Sequence, residues 1–227
     1  MADEGKQAAG RAAAALVEDG MRLGLGTGST VSYFLLAVAE RGLSLAGVPT
    51  SEATARRCRE LGIELLDPAT TPRLDLAIDG ADELDRRLTL TKGGGGALLR
   101  EKVVASLADR FVVIATRDKL VARLGDTFAL PIEVVPFAVG PVTRSLQELG
   151  FEVTERRSES GAYRTDNGNA VLDAHVAGGL DDPEVTDIAI TLLPGVVTTG
   201  LFVGMADAAL LGDDDGQVLE VEPTGRL

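Results

Sequence analysis

The stretch Met21-Arg22-Leu23-Gly24-Leu25-Gly26-Thr27-Gly28-Ser29-Thr30-Val31-Ser32-Tyr33-Phe34-Leu35-Leu36-Ala37-Val38-Ala39-Glu40-Arg41 decides the fold. Met21 to Leu25 reads as a strand, which breaks at a glycine-rich turn and gives way to a helix from Thr30 to about Arg41. Glycines let a backbone approach an anion, and the start of a helix offers unpaired N–H donors, so this turn suits a phosphate as well as it suits a structural tight turn. Thr27, Ser29 and Thr30 would add uncharged hydroxyl donors around Gly28. No Gly-Lys pair precedes the serine, which excludes a Walker loop, and the third glycine of the dinucleotide fingerprint is replaced by Ser29.

Outward from this turn, strands alternate with helices, the pattern of a parallel sheet covered on both faces. An alanine-rich helix over roughly 5–18 precedes it; a strand near Ala46 to Thr50, a helix N-capped by Ser51 and ending at Gly62, and strands at Ile63 to Leu66, Leu74 to Ile78 and Phe111 to Ala115 follow it. After Pro131 the order becomes strand 132–137, helix 141–149, strand 151–156, strand 162–174 interrupted at Asp166-Asn167-Gly168, helix 183–193 and strand 195–203. That βαββαβ order is the ferredoxin-like arrangement. Ala206 to Leu211 and Gln217 to Val221 read as a return to the first sheet, so the expected division is residues 1–128 with 204–227 as one domain and 129–203 as an inserted one.

Two further segments carry chemistry. Asp75-Leu76-Ala77-Ile78-Asp79-Gly80-Ala81-Asp82-Glu83 is an apolar strand running into acids, and ligands of open parallel sheets bind beyond the strands' carboxyl ends. Asp79 and Asp82 therefore stand where a substrate would, beside the small Gly80 and Ala81. Lys92-Gly93-Gly94-Gly95-Gly96 then enters a helix from Ala97 to about Asp109, and such a glycine run costs conformational entropy unless backbone must come close to something. On this helix Glu101 shares a stripe with Ala97, Val104, Ala105 and Ala108, away from the polar stripe of Lys102, Ser106 and Asp109. A carboxylate there is partly desolvated, which raises its pKa and suits it to move protons near neutrality; a salt bridge to Arg100 or Lys102 is the structural alternative.

Composition narrows the classes. The chain has 227 residues and a formal net charge of −13, which disfavours nucleic acid and anionic membranes as partners and requires a local cationic site for an anionic substrate. Neither a signal-peptide core in the first twenty residues nor an apolar stretch of membrane-spanning length appears, so a soluble, unprocessed, cytoplasmic protein is expected, its acidity compatible with a salt-rich cytoplasm. Cys58 is the only cysteine and reads as a spectator thiol; His175, the only histidine, reads as an ordinary strand residue, and no metal site is expected.

The runs GLGTGST (24–30), TSEATA (50–55), DGADE (79–83), KGGGGALLREK (92–102), TDNGN (165–169) and LPGVVTTGLF (193–202), in this order and spacing, resemble the ribose-5-phosphate isomerase A family from Met21 to Val203. The resemblance implies a Rossmann-like α/β domain carrying a ferredoxin-like one, and a cofactor-free aldose–ketose isomerase of the non-oxidative pentose phosphate pathway acting on a sugar phosphate. It implies Glu101 as general base, Asp79, Asp82 and Lys92 around the reacting carbons and hydroxyls, and the loop Thr27 to Thr30 as substrate-binding. Gly80, Ala81, Gly93, Gly94 and Gly95 belong to the same motifs, Lys119 resembles a substrate contact, and Lys6 matches an N-terminal one. Family oligomers are dimers or tetramers, so a homodimer or homotetramer is expected. A fourth glycine, Gly96, extends the family's KGGG loop.

Moving a proton between C1 and C2 needs a carbon base, enediolate stabilisation and proton relay between two oxygens. The sequence offers Glu101, Lys92 and the pair Asp79 and Asp82 for these tasks, with Asp79 as candidate for opening the furanose ring. A related sugar-phosphate deaminase would want a histidine in the crevice, a nicotinamide enzyme would want the complete glycine fingerprint, and a non-catalytic sugar-phosphate sensor would have no need of the full acid–base set.

Overall fold

The computed structural model describes residues 2–159 and 161–223; Met1, Ser160 and residues 224–227, the last part of the expected return to the first domain, lie outside the described residues. In chain order the first part comprises α1 (Ala2–Ala15), β1 (Arg22–Leu25), α2 (Ser29–Glu40), β2 (Ala46–Pro49), α3 (Glu52–Glu60), β3 (Glu64–Leu65), β4 (Leu76–Asp79), β5 (Glu83–Leu84), β6 (Leu90–Thr91), α4 (Leu98–Leu107) and β7 (Phe111–Thr116). The second part adds β8 (Leu130–Val134), α5 (Val139–Glu148), β9 (Glu152–Glu155), β10 (Arg157–Ser158), β11 (Gly161–Ala162), β12 (Ala170–His175), α6 (Pro183–Thr191), β13 (Val196–Thr199) and β14 (Leu201–Phe202), before β15 (Ala208–Gly212) and β16 (Val218–Val221).

The main sheet has the order β16-β15-β7-β4-β1-β2-β3 and is parallel except for β16. Leu23, Leu25, Leu76, Ile78, Val112 and Ile114 pack with Phe34, Leu35 and Val38 of α2 and the alanines of α1, the small residues letting that helix lie close. The opposite face presents Gly24 and Ala77, and a side chain at Gly24 would collide with Ala77 and with Val104 of α4. This close approach brings Glu101, one turn before Val104, to the carboxyl end of the sheet.

The antiparallel sheet has the order β13-β8-β12-β9, the ferredoxin-like arrangement, with Val142 and Leu146 of α5 and Ile190 of α6 packed on Ile132, Val134 and Leu172. Two differences from the sequence reading matter. The expected strand 195–203 divides at Gly200: β13 stays in the antiparallel sheet, and β14 joins β6 and β5 in a third small sheet. Gly200 is the reason, since its N–H donates to the Pro131 carbonyl at 2.7 Å while its own carbonyl accepts from the Lys92 N–H at 2.8 Å. The strand 162–174 is interrupted at 166–168 as expected, but its first piece, β11, ends at Ala162 and pairs with β10, while only β12 joins the antiparallel sheet.

No helix among the described residues is long and apolar enough to cross a membrane.

Candidate active site

The chain runs from β1 to β2 and β3 on one side and to β4, β7 and β15 on the other, so the sheet changes direction between β1 and β4. A crevice forms at the carboxyl end of such a switch point. Here it is a pocket of about 280 Å³ lined by the turn 27–30, the Gly80 to Asp82 segment, the glycine loop from Lys92 to Gly95, Glu101, Ala115, Thr116, Lys119 and Lys6. Segments separated by up to about a hundred residues, all from the first part of the chain, thus form one wall.

At its floor Lys92 is 2% exposed and its Nζ lies 3.1 Å from Asp79 Oδ2 and 3.4 Å from Glu101 Oε1. It also donates to the Gly80 carbonyl, and the Phe202 ring lies 5.5 Å away. Burial works against the Lys92 charge, but Asp79 and Glu101 outweigh it, so its pKa is raised and it stays an ammonium. Glu101 is 6% exposed; desolvation, helped by the neighbouring Asp79 charge and opposed by Lys92, pushes its pKa up to about 8. One cation cannot neutralise both carboxylates, so a proton on Glu101 relieves the excess charge. Glu101 Oε2 is buried without a hydrogen-bond partner. The salt-bridge alternatives read from the sequence do not form: Arg100 turns to Glu52, Asp166 and Asn167, and Lys102 donates to the Thr199 carbonyl.

Asp82 lines the pocket and accepts the Gly94 N–H at 2.8 Å; burial raises its pKa against the pull of that N–H and of Lys92, Lys119 and Arg156. Asp79 differs from the expectation that it would face the substrate. It is 3% exposed and lies behind the pocket lining, its Oδ1 accepting the N–H groups of Thr27 at 3.0 Å and Gly80 at 2.7 Å. The turn folds over it, and only a glycine fits at 26 because a Cβ there would overlap the Asp79 carboxylate.

The turn itself is built from hydroxyls. Thr27 Oγ1 sits within 2.8 to 3.0 Å of the hydroxyls of Thr50, Ser51 and Thr54, so its own hydroxyl is occupied rather than free. Thr54 also donates to the Gly26 carbonyl at 2.8 Å, and Ser51 caps α3 by accepting the Thr54 N–H at 3.0 Å. Gly28 has φ 118° and precedes α2, leaving Ser29 and Thr30 with the first N–H groups of the helix facing the pocket. Lys119 projects from a single 3-10 turn, Arg117–Lys119, beyond β7, and Lys6 reaches the pocket from α1. All the sequence-predicted site residues except Asp79 line this one pocket. Sequence reading missed Thr116 and Ala115, which carried no motif, and it missed that the hydroxyls of Thr50, Ser51 and Thr54 in the TSEATA run meet that of Thr27.

The remaining singled-out residues lie away from the pocket lining. TDNGN wraps the buried Glu133, whose Oε1 accepts from Thr165, Asn167 and Asn169, and Asp166 accepts the Glu52 N–H at the start of α3. Cys58 is buried on α3, where desolvation pushes its thiol up to about 11 despite Arg59. His175 is exposed at the end of β12. Among the described residues no group of three or more His, Cys, Asp or Glu side chains is placed to hold a metal ion.

A switch-point pocket in an α/β fold, with a lysine shared by buried carboxylates and a helix start for an anion, defines a class: enzymes built for acid–base chemistry on a small anionic molecule. Residues 46–216 match the family model of ribose 5-phosphate isomerase A (phosphoriboisomerase A). The chain is 50% identical over 219 residues to ribose-5-phosphate isomerase A of Thermomicrobium roseum, covering 94% of this chain and 92% of that protein. It is 48% identical to the Methylorubrum extorquens protein of the same name, covering 98% of each. Among solved structures, ribose 5 phosphate isomerase A from Neisseria gonorrhoeae aligns with a TM-score of 0.93 at 34% identity over 99% of both chains. A D-ribose-5-phosphate isomerase in complex with phospho-erythronic acid aligns with a TM-score of 0.92 at 36% identity, over 96% of this chain and 97% of that one. The chain belongs to the ribose-5-phosphate isomerase A family.

Proposed function

We propose that this chain interconverts ribose 5-phosphate and ribulose 5-phosphate, with Glu101 carrying the proton between C2 and C1. The observation that carries the reading is Glu101 itself: a buried carboxylate in the pocket wall, one oxygen against Lys92 and the other without a partner. The substrate phosphate lies on Ser29, Thr30 and the start of α2, with Lys119 and Lys6 adding charge. From the open-chain aldose, Glu101 removes the C2 proton; the electron pair forms the C1–C2 double bond, and the former carbonyl oxygen takes the negative charge beside Lys92. Asp82 passes the hydroxyl proton between the two oxygens, and Glu101 returns its proton to C1. Asp79 holds Lys92 charged and aimed; ring opening falls to the Lys92 and Asp79 pair, of which Lys92 reaches the pocket.

The wider reading follows. Residues 1–128 with 204–227 form the Rossmann-like catalytic domain and 129–203 the inserted ferredoxin-like one, supported by the separate seven- and four-stranded sheets and their cores, with β14 crossing back to pair with β6. The protein is cytoplasmic and a homodimer or homotetramer, for which the exposed apolar side chains Val185 and Ile188 of α6 and Leu192 just after it offer a self-association face.

The test is direct. Purified protein with ribose 5-phosphate and EDTA forms ribulose 5-phosphate without added cofactor, and phospho-erythronic acid, whose planar carboxylate resembles the enediolate, inhibits competitively. Absence of turnover with tight binding of the sugar phosphate would mark a sensor instead.

A further inference from the structure

The glycine loop is gripped from the antiparallel half of the molecule. Arg156, in the bend between β9 and β10, is paired through Nε and Nη2 with both carboxylate oxygens of Asp173 on β12. Its remaining edge, Nη1, donates to the carbonyls of Gly93 at 2.7 Å and Gly94 at 3.0 Å. The Tyr163 hydroxyl donates to the next carbonyl, that of Gly95, at 3.0 Å. Arg156 and Tyr163 face each other at the base of the β10 and β11 hairpin, where the Tyr163 N–H donates to the Arg156 carbonyl at 3.0 Å and the guanidinium lies 5.8 Å from the ring centroid. Three consecutive carbonyls are therefore drawn to one side.

Peptide planarity sets what happens on the other side. In a trans peptide the N–H points away from the preceding carbonyl, so pulling the Gly93 carbonyl toward Arg156 turns the Gly94 N–H toward Asp82, which accepts it at 2.8 Å. At the other end of the loop the Lys92 N–H is tied to Gly200, so the segment that carries Lys92 is held by both grips. The fourth glycine has its place here too: Gly96 has φ +77° and packs so close to Tyr163 that a Cβ would overlap the ring. None of these contacts involves the turn 27–30 or Lys119.

We infer that Arg156, oriented by Asp173 and backed by Tyr163, is a positioning residue for the isomerisation, holding the glycine loop so that Lys92 and Asp82 keep their places at the reacting carbons. The inference rests on the function proposed above. Lysine cannot replace it, because an ammonium offers a point charge rather than a fork that spans a carboxylate and two carbonyls.

Arg156→Lys, which keeps the charge, is measured beside wild type. A slackened loop lowers kcat on the order of 10- to 100-fold, while KM for ribose 5-phosphate and competitive inhibition by inorganic phosphate stay within about threefold. The split between a lowered kcat and a kept KM is the signature of loosened positioning, because Arg156 contacts none of the groups that hold the phosphate. A merely structural Arg156 would lower the denaturation midpoint and leave kcat unmoved. Tyr163→Phe removes one hydroxyl and little else, so it carries the test should the lysine variant not fold, with a smaller fall in kcat at constant KM. Folded variants with kcat within about twofold of wild type, far below the loss expected of displaced catalytic groups, overturn the inference. A wild-type protein that does not turn over ribose 5-phosphate overturns the proposed function instead.

Discussion

Glu83 and Glu101 are both buried glutamates, and they are treated in opposite ways. Glu83, fully buried on β5, has each oxygen answered: Oε2 accepts the Gly125 N–H at 2.7 Å, and Oε1 accepts the N–H and hydroxyl of Thr127 at 2.9 and 2.6 Å. Glu101 receives only a share of Lys92 and leaves Oε2 without a partner. A carboxylate surrounded by neutral donors is a clamp, because its charge is already solvated by the fold. One left short of donors holds a proton weakly enough to give it up and strongly enough to take it. Burial alone therefore says little about role; the count of donors around the oxygens says much more.

Exchanging the loss at each glutamate is the strongest way to break this contrast. Glu101→Gln keeps shape and removes the basic oxygen, so kcat is expected to fall roughly 100- to 10,000-fold with substrate binding largely kept, and solvent exchange of the C2 proton to fall in parallel. Turnover near the wild-type value in a folded Gln variant would end the assignment of Glu101 as base. Glu83→Ala should do the reverse: stranding the N–H groups of Gly125 and Thr127 costs about 2–4 kcal/mol of stability, read from the urea midpoint, while kcat changes only a few-fold.

Lys119 sharpens the contrast from outside, since it touches neither glutamate. Lys119→Ala is expected to raise KM roughly 10- to 100-fold, the value of a charge-assisted contact to phosphate, with much less effect on kcat. A fall in kcat at constant KM would place Lys119 at the chemical step.

The smallest expected effects lie in pH. The base must be ionised, so kcat/KM should rise with pH along an acid limb well above the ordinary glutamate value of about 4.3, in the direction of the raised Glu101 pKa. For stability the sign is opposite. Because the fold favours protonated Glu101, that contribution is present below the unfolded pKa and is lost as pH rises through the folded value near 8. Glu101→Gln lacks this titration, so its stability relative to wild type should improve across the same window. A pH-independent difference between the two would show Glu101 to be solvated in the native state.

Glu101 was legible because helix periodicity puts it among alanines and valines, and the glycine loop and acidic turn were legible because their composition is costly in any other use. The β5 and β6 strands were not, since each has only two residues and no alternation can be read from them. Arg156 was equally silent: in Glu155-Arg156-Arg157 it looks like any solvated charge, and only the folded hairpin shows which arginine turns inward onto the glycine carbonyls.

What the chain determines by itself is local: the strand and helix order, the turn that leaves helix N–H groups unpaired, and the stripe that buries Glu101, all set by residue periodicity and backbone freedom. The tertiary structure alone decided that Asp79 lies behind the pocket while Asp82 lines it, that the Thr27 hydroxyl is occupied, and that Glu83 is a clamp. The physical reason is that the state of a buried polar group depends on which donors reach it. Those donors come from residues that are distant in sequence: 52 positions for Thr27 and Asp79, 44 for Thr127 and Glu83, and 63 for Arg156 and Gly93.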